Sequence, residues 1–309
     1  MVNVVVCPGQ GSQKVGMGRD LAERFPAARA VFDRVDAALG VPLSRLMWEG
    51  PEEELTLTHN AQPAILAHSA AVLAVAGDKL APVAMAAGHS LGEYSAYVAA
   101  GALTVEDAAR LVRRRGELML EAGKARPGAM AAILGLSTAE VAEACSAASQ
   151  AGAVAVAANQ NAPDQTVISG DPAAVEAAGA RCKELGAKRV IPLKVSGAFH
   201  SPLMQPAQDG LDEALAAVAF QAPRFPVVAN ATAMPVREAG EARRQLVAQL
   251  TAPVRWVACA ETLAREAPGA CFIEVGPGNV LSGLVRRIVP GSETLALGTA
   301  ADLDRFLAA

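Results

Sequence analysis

The hydrophobic and polar positions of the chain alternate between two patterns. Short apolar runs, VNVVVC at 2–7, VAMAAG at 83–88 and ACFIEV at 270–275, have the composition of strands buried on both faces. Longer segments between these runs have the spacing of helices. Apolar strands that alternate with helices predict a parallel α/β sheet covered by helices on both faces.

The middle of the chain has a different pattern. Between residues 127 and 196, predicted strands such as AVAVAAN at 153–159 and QTVISG at 165–170 alternate with helices in the order βαββαβ, which is typical of a ferredoxin-like module. We therefore predict a large α/β domain made of residues 1–126 and 197–309, interrupted by a small ferredoxin-like domain at 127–196.

A candidate nucleophile follows the predicted strand at 83–88. The segment GHSLG at 88–92 fits G-x-S-x-G and precedes the helical EYSAYVAA. In a strand-to-helix elbow, the Ser90 oxygen stands above the sheet edge and the Leu91 N–H can donate to an oxyanion at the helix N-terminus. An ordinary tight turn is the alternative.

The candidate base is one of four histidines. The side chain of His89 leaves an extended backbone on the side opposite to Ser90. His59 and His68 lie at or within a predicted helix. His200 remains, in the irregular segment SGAFHSP, where a base can face the mouth of the sheet; a solvated loop histidine is the alternative. No acid can be singled out as its partner, although a backbone carbonyl can also orient an imidazole.

A glycine-rich turn, CPGQGSQ at 7–13, follows the first predicted strand. It lacks the third glycine of the dinucleotide fingerprint and the Gly-Lys-Ser/Thr of the P-loop. Such a turn can present main-chain N–H groups to a developing negative charge, so Gln10 is the candidate second oxyanion donor. A purely structural turn is the alternative.

One arginine falls on the apolar face of the predicted helix TVEDAARLVRRRGELML. At about 100° per residue, a single arc of the helix collects its apolar side chains, namely Val105, Ala108, Ala109, Leu111, Val112, Leu118 and Met119. Arg115 lies inside this arc, whereas Arg113 and Arg114 lie outside it. A buried guanidinium needs a carboxylate partner. An internal ion pair is the more common outcome, and a substrate carboxylate is the alternative.

Composition narrows the classes of partner and location. The 309 residues are 52% hydrophobic with a net charge of -4, which gives no basic field for nucleic acid and favours small-molecule or protein partners. The chain has neither a signal-peptide pattern nor a run of about 18 uninterrupted apolar residues, so we expect a cytoplasmic protein with no membrane contact. The five cysteines are scattered without metal spacing, which predicts reduced thiols and no metal site.

Several segments of the chain together resemble the malonyl-CoA:acyl carrier protein transacylases and the acyltransferase domains of polyketide and animal fatty acid synthases. They are, in order, PGQGSQ, GHSLGEYSA, RRRGELM, NQNAPDQTVISG, GAFHS, QLTAPVRW and EVGPGNVLSGL. The resemblance spans nearly the whole chain. It implies an α/β-hydrolase-like large domain interrupted by a ferredoxin-like small domain.

The resemblance also implies roles for the reacting groups. Ser90 matches the nucleophile and His200 its base. Gln10 and Leu91 match the oxyanion-hole positions. Gln249 matches the residue whose main-chain carbonyl orients the histidine, which would account for the missing acid.

A second set of matches concerns the acyl pocket. Arg115 matches the arginine that holds the malonyl carboxylate, while Gln62 and Asn161 match residues lining the pocket. A Phe before the base histidine, here Phe199, accompanies malonyl specificity in related enzymes, and Leu91 also matches the malonyl type. A branch methyl is worth only about 1–3 kcal/mol of discrimination.

The implied reaction is transfer of malonyl from malonyl-CoA to the phosphopantetheine thiol of holo acyl carrier protein, for fatty acid synthesis, with no cofactor bound to this chain. Loading of a polyketide carrier protein, a serine hydrolase and a noncatalytic carrier-binding scaffold are the alternatives. Candidate bases for an acidic carrier protein are Arg286, Arg287, Lys188 and Arg189; each is also compatible with a solvated surface position.

Overall fold

Two separate β-sheets organise the described residues, 2–150, 152–195 and 197–309, of this computed structural model. The strands are β1 (Asn3–Cys7), β2 (Val83–Gly88), β3 (Ala129–Leu134), β4 (Ala155–Ala162), β5 (Gln165–Gly170), β6 (Arg189–Pro192), β7 (Val227–Val228), β8 (Pro235–Val236), β9 (Cys271–Val275) and β10 (Thr294–Leu297). The helices are α1 (Arg19–Arg24), α2 (Pro26–Leu39), α3 (Leu43–Glu49), α4 (Glu52–Thr56), α5 (Thr58–Ala76), α6 (Gly92–Ala99), α7 (Val105–Ala125), α8 (Thr138–Ala148), α9 (Pro172–Glu184), α10 (Gln205–Ala216), α11 (Ala239–Ala248), α12 (Trp256–Glu266), α13 (Val280–Ile288) and α14 (Ala300–Ala308).

The larger sheet has the strand order β10-β9-β1-β2-β7-β8 and is parallel except for the edge strand β8. Both faces are covered. Val5 and Cys7 of β1 pack with α2, α5 and α7, whereas Val4 and Val6 pack with α12 and α13. This two-sided burial explains the uniformly apolar first strand and confirms the predicted α/β class.

The smaller sheet contains the chain order β3-α8-β4-β5-α9-β6 and the spatial order β4-β5-β3-β6, with every neighbouring pair antiparallel. This is the ferredoxin-like arrangement, as predicted. Its helices and strands share a core of their own, which includes Ile133, Val141, Ile168 and Ala178.

The strand predicted at 153–159 is displaced along the chain. β4 runs from 155 to 162, because the polar stretch around Asn159 and Asn161 continues to pair with β5 across two register shifts. The prediction was therefore wrong at both ends of this strand. Because β4 continues past residue 159, it reaches the candidate site.

The domain boundary at 127–196 stays a proposal. It is supported by β3, which begins at Ala129, and by β6, which ends at Pro192. Ser196, at the predicted exit from the small domain, lies outside the described residues.

One helical segment meets the length and hydropathy criteria of a membrane span. It is Thr58–Leu80, which includes α5, and 67% of its most apolar window is buried inside the fold. α5 packs against α2 and α7 beneath the larger sheet, so its apolar composition is used in the protein core.

Candidate active site

The candidate site lies in a cleft of about 430 Å³ between the two sheets. A turn after β2 contributes Ser90, and a turn before α10 contributes His200. The smaller sheet contributes Asn159 and Asn161 from β4 and Val167 from β5. The smaller sheet therefore supplies one wall of the cleft, and two turns outside it supply the predicted reacting groups.

A larger cavity, of about 650 Å³, lies elsewhere on the large domain. It is lined mainly by apolar residues such as Leu73, Val98 and Phe225, and it contains none of the predicted site residues. The volume of a cavity alone would therefore not identify the predicted catalytic site.

The turn that carries Ser90 is crowded and strained. Ser90 has φ 53°, in the left-handed region that residues with a side chain seldom adopt. A Cβ at Gly88 would lie 1.9 Å from the carbonyl carbon of Gly92, and a Cβ at Gly92 would lie 2.2 Å from the carbonyl oxygen of Cys7. Both glycines are therefore required by close backbone approach, as a nucleophile elbow demands.

Asn230, which the sequence analysis did not identify, fastens this turn to the neighbouring strand. The Ser90 N–H donates to Asn230 Oδ1 at 2.7 Å, and Asn230 Nδ2 donates to the Gly88 carbonyl at 2.7 Å. The position of Asn230 in the sequence could have identified it, because it is a polar residue just after the buried strand β7, which pairs with β2.

His200 contacts Ser90 directly. Its Nε2 lies 2.8 Å from Ser90 Oγ, and its Nδ1 lies 3.0 Å from the main-chain oxygen of Gln249. A carbonyl oxygen can only accept, so the proton sits on Nδ1 and Nε2 is left to accept from the serine hydroxyl. Burial, and secondly the positive charge of Arg115, lower the pKa of His200 to about 3, which keeps the imidazole neutral at physiological pH.

Arg115 reaches the same serine from α7. The side chain is 1% exposed. Its NH1 donates to Gln62 Oε1 at 2.8 Å, and its NH2 donates to Gln249 Oε1 at 2.9 Å and to Ser90 Oγ at 3.1 Å. Every one of these acceptors is neutral.

The alternative of an internal ion pair for Arg115 is not found within the described residues. None of the Asp and Glu oxygens there lies within 4.0 Å of its nitrogens, although such pairs occur at many exposed arginines. The Arg115 Nε–H is also buried without a hydrogen-bond partner in the described part of the chain. The guanidinium therefore contacts no carboxylate within the described residues, and its Nε–H donor is unused there.

The two predicted oxyanion donors belong to adjacent turns. A Cβ at Gly9 would lie 2.6 Å from the His89 carbonyl oxygen, so the glycine-rich turn and the elbow pack closely together. Within the described residues, the main-chain N–H groups of Gln10 and Leu91 donate to no protein acceptor. The Gln10 side chain accepts a 2.9 Å hydrogen bond from Thr58 Oγ1 at its Oε1.

The remaining predicted pocket residues also line or adjoin the cleft. Asn161 Oδ1 lies 2.8 Å from Nε2 of His89, whose ring packs against Trp256 at 5.8 Å between centroids. His89 is thus directed to Asn161 and away from the serine oxygen. Phe199 is buried and lines the cleft beside His200.

Two of the four candidate docking bases are already engaged on the surface. Arg287 pairs with Asp164 and donates to Gln165 Oε1 at 2.9 Å, and Arg286 donates to Thr294. Lys188 and Arg189 are exposed.

The cysteines and acidic residues that the structure describes are not clustered around a common point. All five cysteines are buried free thiols. Among the described residues there is no group of three or more His, Cys, Asp and Glu side chains placed to hold a metal ion.

Comparison with known proteins agrees with this geometry. The family model described as an acyl transferase domain matches residues 4–298. The malonyl CoA-acyl carrier protein transacylase of Bacillus subtilis (strain 168) is 47% identical over 290 residues, which cover 94% of this chain and 91% of the relative. That of Escherichia coli (strain K12) is 48% identical, covering 92% of each chain.

Solved structures give the same result. An acyl carrier protein S-malonyltransferase from Vibrio cholerae superposes with a TM-score of 0.94 at 44% identity, covering 98% of both chains. A malonyl-transacylase in complex with its holo type II polyketide synthase acyl carrier protein also has a TM-score of 0.94, at 43% identity, covering 100% of this chain and 99% of that one. The chain therefore belongs to the acyl transferase family and, within it, to the malonyl CoA-acyl carrier protein transacylases.

Proposed function

We propose that this protein transfers the malonyl group from malonyl-CoA to the phosphopantetheine thiol of holo acyl carrier protein through a malonyl ester of Ser90. The observation that carries the proposal is the buried Arg115 guanidinium, which contacts no carboxylate among the described residues and lies 3.1 Å from a serine that also contacts a neutral histidine. The names of the relatives and the carrier protein complex support the same reaction and the same partner.

In the first half-reaction, His200 Nε2 takes the hydroxyl proton as Ser90 Oγ attacks the thioester carbonyl carbon. The Gln10 and Leu91 N–H groups donate to the tetrahedral oxyanion. Collapse of this intermediate breaks the carbon–sulfur bond, and coenzyme A leaves as its thiol with the proton from the imidazolium. The Gln249 carbonyl holds the imidazole in the tautomer that this proton transfer requires.

In the second half-reaction, the carrier protein's phosphopantetheine thiol enters the same cleft. His200 takes the thiol proton, the sulfur attacks the malonyl ester carbon, and the Ser90 oxygen leaves with that proton. The two substrates therefore bind in turn, and ping-pong kinetics follow.

Arg115 selects the acyl group by the charge at its far end. A malonyl carboxylate supplies the anionic acceptor that the guanidinium lacks, whereas an acetyl group leaves a buried charge unpaired. Gln62 and Gln249 orient the guanidinium. Asn161, on the wall of the cleft that the smaller sheet forms, is held by its contact with His89. Phe199 restricts the space available for an α-methyl branch.

The setting of the reaction is fatty acid synthesis in the cytoplasm, with no cofactor held by this chain. One observation favours a second candidate: a solved neighbour, 43% identical to this chain, is in complex with a type II polyketide synthase acyl carrier protein. Loading of a polyketide carrier protein uses the same residues. A serine hydrolase has no use for the buried, unpaired Arg115.

The test incubates the protein with malonyl-, methylmalonyl- or acetyl-CoA, measures the adduct by intact mass, and then adds holo acyl carrier protein. A malonyl adduct that passes to the carrier protein supports the proposal. Rapid release of free malonate without carrier protein would instead identify a hydrolase.

A further inference from the structure

A buried glutamate that the proposed mechanism does not use lies behind Ser90. Glu93, in the first turn of α6, is 0% exposed. Its Oε2 accepts from Gln249 Nε2 at 2.8 Å and from the main-chain N–H of Asn230 at 2.9 Å. Its Oε1 is buried and has no hydrogen-bond partner in the described residues. A carboxyl is costly to bury, so its retention here calls for a role.

The Gln249 side chain connects Glu93 to Arg115. Its Nε2 donates to Glu93 Oε2 and, at 3.0 Å, to the Ser90 carbonyl, while its Oε1 accepts from Arg115 NH2. The two ends of an amide have nearly the same shape, so the partners decide which end faces which neighbour. In the opposite orientation, the amide NH2 would face the guanidinium, which places donor against donor, and the amide oxygen would face Glu93 Oε2, which places acceptor against acceptor.

We infer that Glu93 is a positioning residue that fixes the Gln249 amide with its oxygen toward Arg115, so that neutral atoms align the guanidinium for the acyl carboxylate. A direct Glu93–Arg115 pair would hold the arginine equally well but would satisfy its charge internally. The Gln249 amide between them lets Glu93 fix the orientation of Arg115 without contacting it, so the guanidinium charge remains available to the ligand. This inference rests on the proposed function.

The same carboxyl also supports the nucleophile. Through Oε2 it holds the Asn230 backbone, and the Asn230 side chain holds the Ser90 N–H. Loss of Glu93 is therefore expected to slow acylation by every donor to some extent. Its specific effect is the additional loss for a donor with a carboxylate.

The inferred role needs an acceptor oxygen and does not need a negative charge. Burial raises the pKa of Glu93 to about 7, against the opposing effects of its two hydrogen bonds and of Arg115. The other ionisable groups that face it are Tyr94 and Tyr97 on α6 and Cys259 on α12. A proton can reside on the unused Oε1, so Oε2 keeps both of its bonds in either state.

The test compares kcat/KM for acylation by malonyl-CoA and by acetyl-CoA in Glu93 and Gln249 variants. Glu93→Met, which removes the acceptor, is expected to lower the malonyl-to-acetyl ratio about tenfold, whereas Glu93→Gln, which presents an amide oxygen to Gln249, is expected to keep it within about threefold of wild type. Gln249→Met retains its main-chain carbonyl and should reproduce the Glu93→Met ratio. Because both variants break one chain of contacts, the double variant should lower the ratio no further.

A second Glu93 variant keeps the test decisive if Glu93→Met does not fold by circular dichroism. Glu93→Asp keeps a carboxyl but withdraws it by one methylene from Gln249, so the ratio should fall in the same direction. Equal losses for both donors in Glu93→Asp and in any folded Glu93→Met would overturn the inference, since support of the fold alone predicts that result.

Failure of this inference is distinguishable from failure of the proposed function. If wild-type protein forms no adduct with malonyl-CoA, the proposed function is wrong. If wild-type protein prefers malonyl and the Glu93 variants keep that preference, only the role of Glu93 is wrong.

Discussion

The two ends of the site are held in different ways. At the reacting end, main-chain geometry dominates: Ser90 and His200 have φ of 53° and 56°, and a main-chain carbonyl orients the imidazole. At the acyl end, side-chain amides of Gln62 and Gln249 align Arg115. A backbone constraint survives most side-chain replacements, whereas an amide contact is lost with one. The rate of acylation should therefore be little affected by most side-chain substitutions around Ser90 and His200. The selectivity between acyl donors should change with a single substitution around Arg115.

The largest expected loss of activity at the reacting end comes from removal of the Ser90 hydroxyl. Ser90→Ala should abolish the acyl adduct from every donor, because Ser90 Oγ is the hydroxyl that contacts the His200 imidazole. Intact mass after incubation with malonyl-CoA checks this. Ser95→Ala, at a buried serine in the helix α6 that follows the turn, is the matched control and should retain the adduct. An undiminished adduct in Ser90→Ala would place the nucleophile elsewhere.

Removing the base should leave a weaker residual reaction. His200→Ala is expected to slow acylation about 10²–10⁴-fold for malonyl and acetyl donors alike, since general-base catalysis serves both. Rapid-quench measurement of adduct formation checks the rate. A loss confined to malonyl would assign His200 to substrate binding instead.

At the acyl end, the expected loss depends on the donor. Arg115→Ala should lower malonyl kcat/KM about 10²-fold or more, because a buried charge–charge contact is lost, while acetyl loading is spared or improved. Arg114→Ala, one residue away on the same helix and exposed, is the control. Equal effects on both donors would remove Arg115 from the selection of malonyl.

The close backbone packing at the Ser90 turn can be tested by its effect on the stability of the fold. Gly92→Ala places a Cβ 2.2 Å from the Cys7 carbonyl oxygen, so the elbow must shift at a cost of about 1–3 kcal/mol in unfolding free energy, with slower acylation by both donors. Gly283→Ala, in α13, places its new Cβ in open space and is the control. Urea unfolding compares the two; equal stability would contradict the assigned crowding.

The smallest expected effect is a displaced pH profile. The base acts as the neutral imidazole, and burial with the charge of Arg115 lowers the pKa of His200 to about 3, so acylation should not fall between about pH 8 and pH 5. In Arg115→Ala the positive charge is gone, the His200 pKa rises, and the acidic limb should move to higher pH. Acetyl-CoA is the donor for this measurement, since its loading does not require Arg115. An unmoved limb would show that the two groups do not interact.

The sequence was sufficient where a residue's role depends on nearby residues. The helical period placed Arg115 on a buried face, and the glycines of GHSLG indicated the elbow at Ser90; the structure agrees with both placements. The resemblance to the family supplied the match for Gln249, which spacing alone does not suggest.

The contacts that the sequence did not predict join segments far apart in the chain. The bonds of Glu93 to Asn230 and Gln249 span 137 and 156 residues. Pairing at such separations is set by how β2, β7 and α11 assemble, and no local period encodes it. The absence of an internal carboxylate partner for Arg115 among the described residues likewise follows from three-dimensional packing.

The most direct test of the central claim is a crystal structure of the malonyl ester of Ser90. The account predicts a malonyl carboxylate oxygen about 2.7–2.9 Å from a guanidinium nitrogen of Arg115, the separation typical of a charge-assisted hydrogen bond. A carboxylate directed to solvent, with Arg115 still bound only to Gln62 and Gln249, would contradict it.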